Sequence, residues 1–180
     1  MRKFYALLVA LFTLVGVTQA QTITFVAGTD VGTQTDAGKG ADQVTKDGIT
    51  ISVTKGALAA AQYRFGKSQT VTITSTVGDI VEIVFTCTAN GDAQYGPGNF
   101  KGDGYSYAEK VGTWTGEAAS VSLVAETAQV RATKIEVTVK NSDPNYVAAP
   151  KITPASDTYF AAQEVSIEVA EGTTVYYTTD

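Results

Sequence analysis

The stretch "IVEIVFTC", Ile80 to Cys87, decides the fold class. Its alternation puts Val81, Ile83, Phe85 and Cys87 on one face of an extended strand. The mixed character of Ile80 and Val84 on the other face predicts a central strand. Outward from it, nearly every periodic segment has the same period of two. "TITFV" at Thr22 to Val26 opens the series, and "ITISV" buries Ile49, Ile51 and Val53. "TVTITS" buries Val71 and Ile73, "ASVSLVA" Ala119, Val121 and Leu123, and "TKIEVTVK" Ile135, Val137 and Val139. Turn signals separate them: "KDG" at Lys46 to Gly48, "VGD" at Val77 to Asp79 and "ANGD" at Ala89 to Asp92. "GALAAAQ", Gly56 to Gln62, offers one helical turn at most. Short strands at this spacing without helical crossovers predict an all-β fold, an antiparallel β-sandwich or jelly roll, over residues 21–140.

The first twenty residues stand apart. Arg2 and Lys3 precede the apolar run "ALLVALFTLVGV", Ala6 to Val17, which is too short to span a bilayer stably, and "TQA" at Thr18 to Ala20 offers small residues for cleavage. This reads as a secretory signal peptide, because a membrane anchor would be followed by stop-transfer charge and none is present. The expected destination is therefore secreted: extracellular, cell surface or periplasm. Without residues 1–20 the chain carries 11 basic and 18 acidic residues, a net charge of 11 − 18 = −7. Nucleic acid and anionic membrane are thus poor partners, and no stable membrane insertion is expected after cleavage. The single cysteine, Cys87, rules out an internal disulfide, so the fold must be held by its core.

Composition changes at "NSDPNYVAAPKITP", Asn141 to Pro154, where three of the four prolines lie. Residues 141–150 read as a linker and 151–180 as the start of a second β module. Val165, Ile167 and Val169 would form one strand and "TVYYT" the next, across a turn at Glu171 and Gly172. The pattern "PKITPASDTYFAAQEVSIEVAEGTTVYYTTD" resembles the opening of the chitobiase/β-hexosaminidase C-terminal type module, a fibronectin-III-like sandwich. Pro150, Pro154, Tyr159, Val165, Ile167, Gly172, Tyr176, Tyr177, Thr178, Thr179 and Asp180 carry the resemblance in order. It implies an accessory unit without catalytic residues. It also implies an incomplete Ig/fibronectin-III-like module, since three strands cannot cover both faces of a sandwich, and the natural polypeptide is expected to continue. Residues 21–140, through "QTVTITS", "IVEIVFT", "GTWTGEAASVSL" and "TKIEVTV", are similar to uncharacterised modules that precede such domains in secreted bacterial proteins.

The chemistry is limited from the start. The chain contains no histidine, which removes serine and cysteine triads built on imidazole and histidine–zinc sites. Cys87, in register with an apolar face, behaves as a small hydrophobe. "GTQTDAGKG", Gly32 to Gly40, fails as a phosphate-binding loop: five residues separate its first two glycines where four are needed, and no helix follows. Glu82, Glu136, Glu164 and Glu168 fall on solvent faces, and Asp92, Asp103, Glu109 and Glu117 surround one long segment without a spacing that pairs them for hydrolysis.

That segment, "ANGDAQYGPGNFKGDGYSYAEKVGTWTG", Ala89 to Gly116, holds five aromatics and seven glycines. Read as an irregular loop, it is functional or structural and not disordered, because aromatics oppose disorder. Two readings of Trp114 stand side by side: a core ring beside Phe85, or an exposed indole flanked by the bare Gly112 and Gly116. In the second, Tyr95, Tyr105, Tyr107 and Trp114 stack on sugar rings while Asp92, Asn99 and Asp103 give edge contacts or hold Ca²⁺. The functional expectation is a non-catalytic glycan-binding or accessory module. The alternatives are a structural or adhesive spacer, and the accessory part of a secreted glycoside hydrolase whose catalytic domain lies elsewhere in the polypeptide.

Overall fold

The structure, a computed structural model, describes residues 20–140, 151–153 and 166–168. The expected signal peptide (save Ala20), the linker and most of the second module lie outside the described residues. Two antiparallel sheets share one core. The larger contains β1 (Ala20–Val26), β4 (Gly56–Ala57), β5 (Tyr63–Phe65), β7 (Asp79–Cys87), β9 (Tyr105–Ala108), β10 (Val111–Ala118) and β12 (Val130–Lys140). Its order is β4-β5-β12-β7-β10-β9, with β1 also on β12. The smaller runs β2 (Asp42–Lys46), β3 (Ile49–Val53), β6 (Thr70–Ser75), β11 (Ser120–Ala125) and β8 (Phe100–Lys101). The all-β expectation holds, and the two sheets form a sandwich. Separately, β13 (Lys151–Thr153) pairs antiparallel with β14 (Ser166–Glu168), Ile152 opposite Ile167.

The core is the set of inward positions: Ile23 and Phe25, Ile49, Ile51 and Val53, Val71 and Ile73, Ile83, Phe85 and Cys87, Val121 and Leu123, and Ile135, Val137 and Val139. Alternation thus predicts most of it, because burying every second side chain requires period two. It errs at two places. Val81 is half-buried and Ile80 fully buried. Glu82 and Ile80 pair with the consecutive residues Thr138 and Val139, so Val81 is the extra residue of a β-bulge and the alternation resets across it. Ala119 is exposed, because β11 starts only at Ser120 and its inward set is Val121, Leu123 and Ala125. Residues 58–62 contain no helical turn; the only helical element among the described residues is a 3₁₀ turn at Pro97–Asn99.

"KDG" forms a two-residue hairpin in which Asp47 (φ 47°) and Gly48 (φ 80°) are both left-handed, the demand of a type I′ turn. At one side of the sandwich Lys46 of β2 reaches β1, donating from Nζ to the Thr24 carbonyl at 2.8 Å and pairing with Asp30 at 3.0 Å. A charge on the outer strand's backbone both latches the sheets and blunts an edge. At the opposite side the last strands are β8 and β9, and there the sandwich stays open.

Candidate functional site

The segment Ala89 to Gly116 is not an irregular loop. It holds the 3₁₀ turn, β8, β9 and most of β10, and β10 pairs with both β7 and β9. Trp114 lies opposite Ile83 on the inward face and is 7% exposed; its Nε1–H donates to the Asp103 carbonyl at 2.8 Å. The bare flanks that suggested an open indole have other occupants. A side chain at Gly116 would collide with the Trp114 benzo ring, and one at Gly112 with the Tyr105 hydroxyl, so the glycines make room for rings inside the fold.

Tyr105 meets Phe85 and Phe100 edge-on at 6.4 and 5.9 Å between centroids, and its hydroxyl donates to the Pro97 carbonyl at 2.9 Å. Burial, reinforced by nearby Cys87 and Tyr107, pushes its phenol well above the ordinary value. Asn99 is 1% exposed: its amide donates to the Ala93 and Gly96 carbonyls, and its Oδ1 accepts from the Thr127 hydroxyl. Tyr95 lies under the Arg131 guanidinium, 3.7 Å from ring centroid to Cζ. Asp92 accepts from the Tyr107 hydroxyl on both oxygens, at 3.0 and 3.1 Å. The hydrogen bond to Asp92, with that carboxylate's charge, raises the Tyr107 phenol.

Tyr107 is the exposed aromatic of the set, at 42%. Its partner in register, Gly112, faces Phe85, so Tyr107 points to the inner side of its sheet, where the two-residue β8 is too short to cover it. The structure therefore brings Tyr105 and Tyr107 together along a cleft of about 300 Å³ between the two edge strands, shared with Phe100, Lys101, Gly102 and Ser106. Trp114 and Asn99 are committed to the interior. The side chains of Asp92 and Asn99 and the backbone of Asp103 are engaged with different partners. Among the described residues no group of three or more acidic, cysteine or histidine side chains gathers to hold a metal ion. Cys87 is buried, and burial lifts its thiol to about 12, which suppresses the thiolate needed for reactivity.

A second cleft, about 490 Å³, opens over β2, β3 and β6 and is lined by Thr33, Asp42, Gln43, Ser52, Thr54 and Thr72 among others. It offers hydroxyls but no aromatic plane. Its floor contains the residue that sequence reasoning missed. Asp42, 5% exposed, accepts from the backbone N–H of Thr33 (2.8 Å), Gln43 (2.9 Å), Gln34 (3.0 Å) and Leu58 (2.7 Å), and from the Thr33 hydroxyl (3.0 Å). Burial pushes its carboxyl up, but the donors from Thr33, Leu58 and Gln34 together outweigh this and hold it below the ordinary carboxylate value. The Gly32–Gly40 stretch is thus pinned at Thr33 and Gln34 by a carboxylate. A signal was available: Asp42 stands two residues before the inward Val44, and a charge at an inward position demands donors.

Among the described residues no helix is long and apolar enough to cross a membrane. No protein-family model, curated protein or solved structure matches the chain.

Proposed function

We propose that the chain is an exported, non-catalytic module that binds a polysaccharide at the open side of the sandwich, along the Tyr105–Tyr107 cleft. One observation carries this reading: Tyr107 presents a large exposed ring whose hydroxyl is fixed by Asp92, beside a cleft of about 300 Å³. Sugars offer apolar C–H faces ringed by hydroxyls, so a weak site needs a rigid aromatic plane with a few polar groups at its edge. Lys101, Ser106 and Asp92 supply that edge. The likeness of residues 150–180 to an accessory module of glycan-active proteins supports the same reading by analogy. Affinity should be about 10–1000 μM, since a shallow cleft buries few ligand atoms.

The alternative, a structural spacer, is favoured by a different observation: Trp114, Asn99 and most of Tyr105 are spent on holding the fold together. Affinity electrophoresis of the chain through gels containing chitin-derived, xylan, glucan and pectic polysaccharides separates the two. Retardation in at least one gel, abolished by Tyr107→Ala, is expected. The Tyr107 hydrogen bonds are exposed ones, and an unchanged urea midpoint checks that the variant keeps its fold. Free migration in every gel would establish the spacer.

A further inference from the structure

Beyond residues 1–20 the chain has two arginines, Arg64 and Arg131, and they are direct cross-strand partners on β5 and β12. Their neighbours Tyr63, Phe65, Val130 and Ala132 are buried in the core, so both guanidinium groups leave the outer face of the larger sheet. The Arg131 N–H donates to the Tyr95 carbonyl at 3.3 Å and its carbonyl accepts from the Thr88 N–H at 3.0 Å, both on the side of β12 away from β5. The arginines are therefore a non-hydrogen-bonded pair, the kind in which Cα atoms lie about 4.5 Å apart and side chains approach most closely. Like charges placed so repel, unless a counter-charge lies between them.

Among the described residues no protein group supplies that counter-charge, since no ion pair there includes either arginine. The Arg64 Nε is buried and has no hydrogen-bond partner. Arg131 uses only Nε, donating to Gln129 Oε1 at 2.7 Å, and the Tyr95 ring holds its guanidinium in place. Tyr95 itself sits at φ 78°, a left-handed conformation costly for a bulky residue and typical of positions kept for function. Two guanidinium groups on facing residues, one of them held by an aromatic ring and neither in an ion pair among the described residues, form a receptor for a planar or tetrahedral oxyanion, which they can grip by parallel N–H donors.

We infer that Arg64, Arg131 and Tyr95 form a second subsite, which takes the anionic group of an acidic sugar, a uronate carboxylate or a sulfate ester. The inference rests on the glycan reading for the sugar and on the arginines alone for its charge. It also gives a chain of net charge −7 beyond residue 20 a place where two positive charges meet an anionic polymer together.

The test is a ¹⁵N–¹H titration of the arginine Nε–Hε signals of the whole chain, assigned with Arg64→Gln and Arg131→Gln. Four probes are used: trigalacturonate, a sulfated disaccharide, a neutral galactan trisaccharide and inorganic sulfate. The Arg64 and Arg131 signals should shift with one or both acidic sugars and stay fixed with the neutral one. Either substitution should weaken that binding at least tenfold. Because Arg64→Gln relieves a like-charge contact and gives up no hydrogen bond from Nε, it should leave the melting temperature unchanged or raised, which distinguishes lost binding from lost folding. Fixed arginine signals while Tyr107 and its neighbours shift would overturn the inference and leave the glycan reading intact. Arginine shifts with inorganic sulfate but with neither acidic sugar would overturn the inference, and only unmoved Tyr107 signals with every sugar would count against the glycan reading as well.

Discussion

The two sides of the sandwich are finished by the same device in two chemistries. The described residues hold two buried polar side chains, Asp42 and Asn99, and each organises one long connection. On the latched side, the Asp42 carboxylate collects donors from residues 33, 34, 43 and 58. On the open side, the Asn99 amide ties Ala93 and Gly96 to Thr127, and the turn it stabilises sets Pro97 against the Tyr105 hydroxyl and Gly98 beneath Tyr107. A carboxylate can only accept, so it suits a place where several backbone N–H groups converge. An amide both donates and accepts, so it suits a turn that leaves carbonyls and a hydroxyl to be matched. The charged anchor depends on pH and the neutral one does not.

The largest effect is expected at Asp42. Asp42→Ala leaves several backbone donors unpaired, including the buried Leu58 N–H, and should cost about 2–4 kcal/mol in urea unfolding. Asp42→Asn should cost nearly as much, because its NH₂ group would face amide donors on one side. A loss under about 1 kcal/mol for both would mean that the loop is held by something other than the carboxylate.

Asn99→Ala comes next, at about 1–3 kcal/mol, since it abandons three side-chain hydrogen bonds where Asp42→Ala abandons five. Its distinguishing consequence is functional. By loosening the turn beneath Tyr107 it should weaken polysaccharide retardation severalfold, whereas Asp42→Ala, measured well below its melting point, should leave retardation unchanged. Equal losses for the two variants would erase the difference between the sides.

The smallest effect is kinetic. Cys87 is 3% exposed and ends β7 just before the Asn99 turn, its N–H donating to Lys110 O. In the native protein a thiol reagent should react at a rate set by rare opening, with full reactivity only after denaturant. Asn99→Ala should accelerate native labelling more than Asp42→Asn does. Rapid labelling of the unaltered protein would contradict the inward placement of Cys87.

Much of the fold is legible in the residue pattern alone. Period two in Ile49–Val53, Thr70–Ser75 and, beyond the register shift at Ala132/Lys134, in Ile135 to Val139 specifies the inward face, because sheet burial leaves no other choice. Val81 is misplaced by that pattern because a bulge depends on both neighbouring strands and leaves no mark in the strand that carries it. The Ala89–Gly116 segment reads as a loop because its glycines look like turn residues, whereas Gly112 and Gly116 are strand positions emptied to seat Tyr105 and Trp114. The site is half legible: the aromatics can be named, but the pairing of β9 with β10 is needed to put Tyr105 and Tyr107 on one inner face, and the shortness of β8 to leave Tyr107 exposed there. The Arg64–Arg131 contact spans distant strands and needs the register itself.

The difference between the anchors is tested most directly by hydrogen-exchange protection factors at pH 7 and at pH 2–3. The Asp42 carboxyl is depressed below its ordinary value of 3.8, so its contribution is complete above that value and is lost as pH falls through the folded value. Protection of the Thr33, Gln34 and Leu58 amides should therefore drop at least tenfold at the lower pH. The Gly98 and Glu126 amides, which donate to Gly91 and Asn99 carbonyls, should keep theirs. In Asp42→Asn the first group should be weakly protected at both pH values. Equal loss in both groups, or none in the first, would contradict the assignment of one pH-dependent and one pH-independent side.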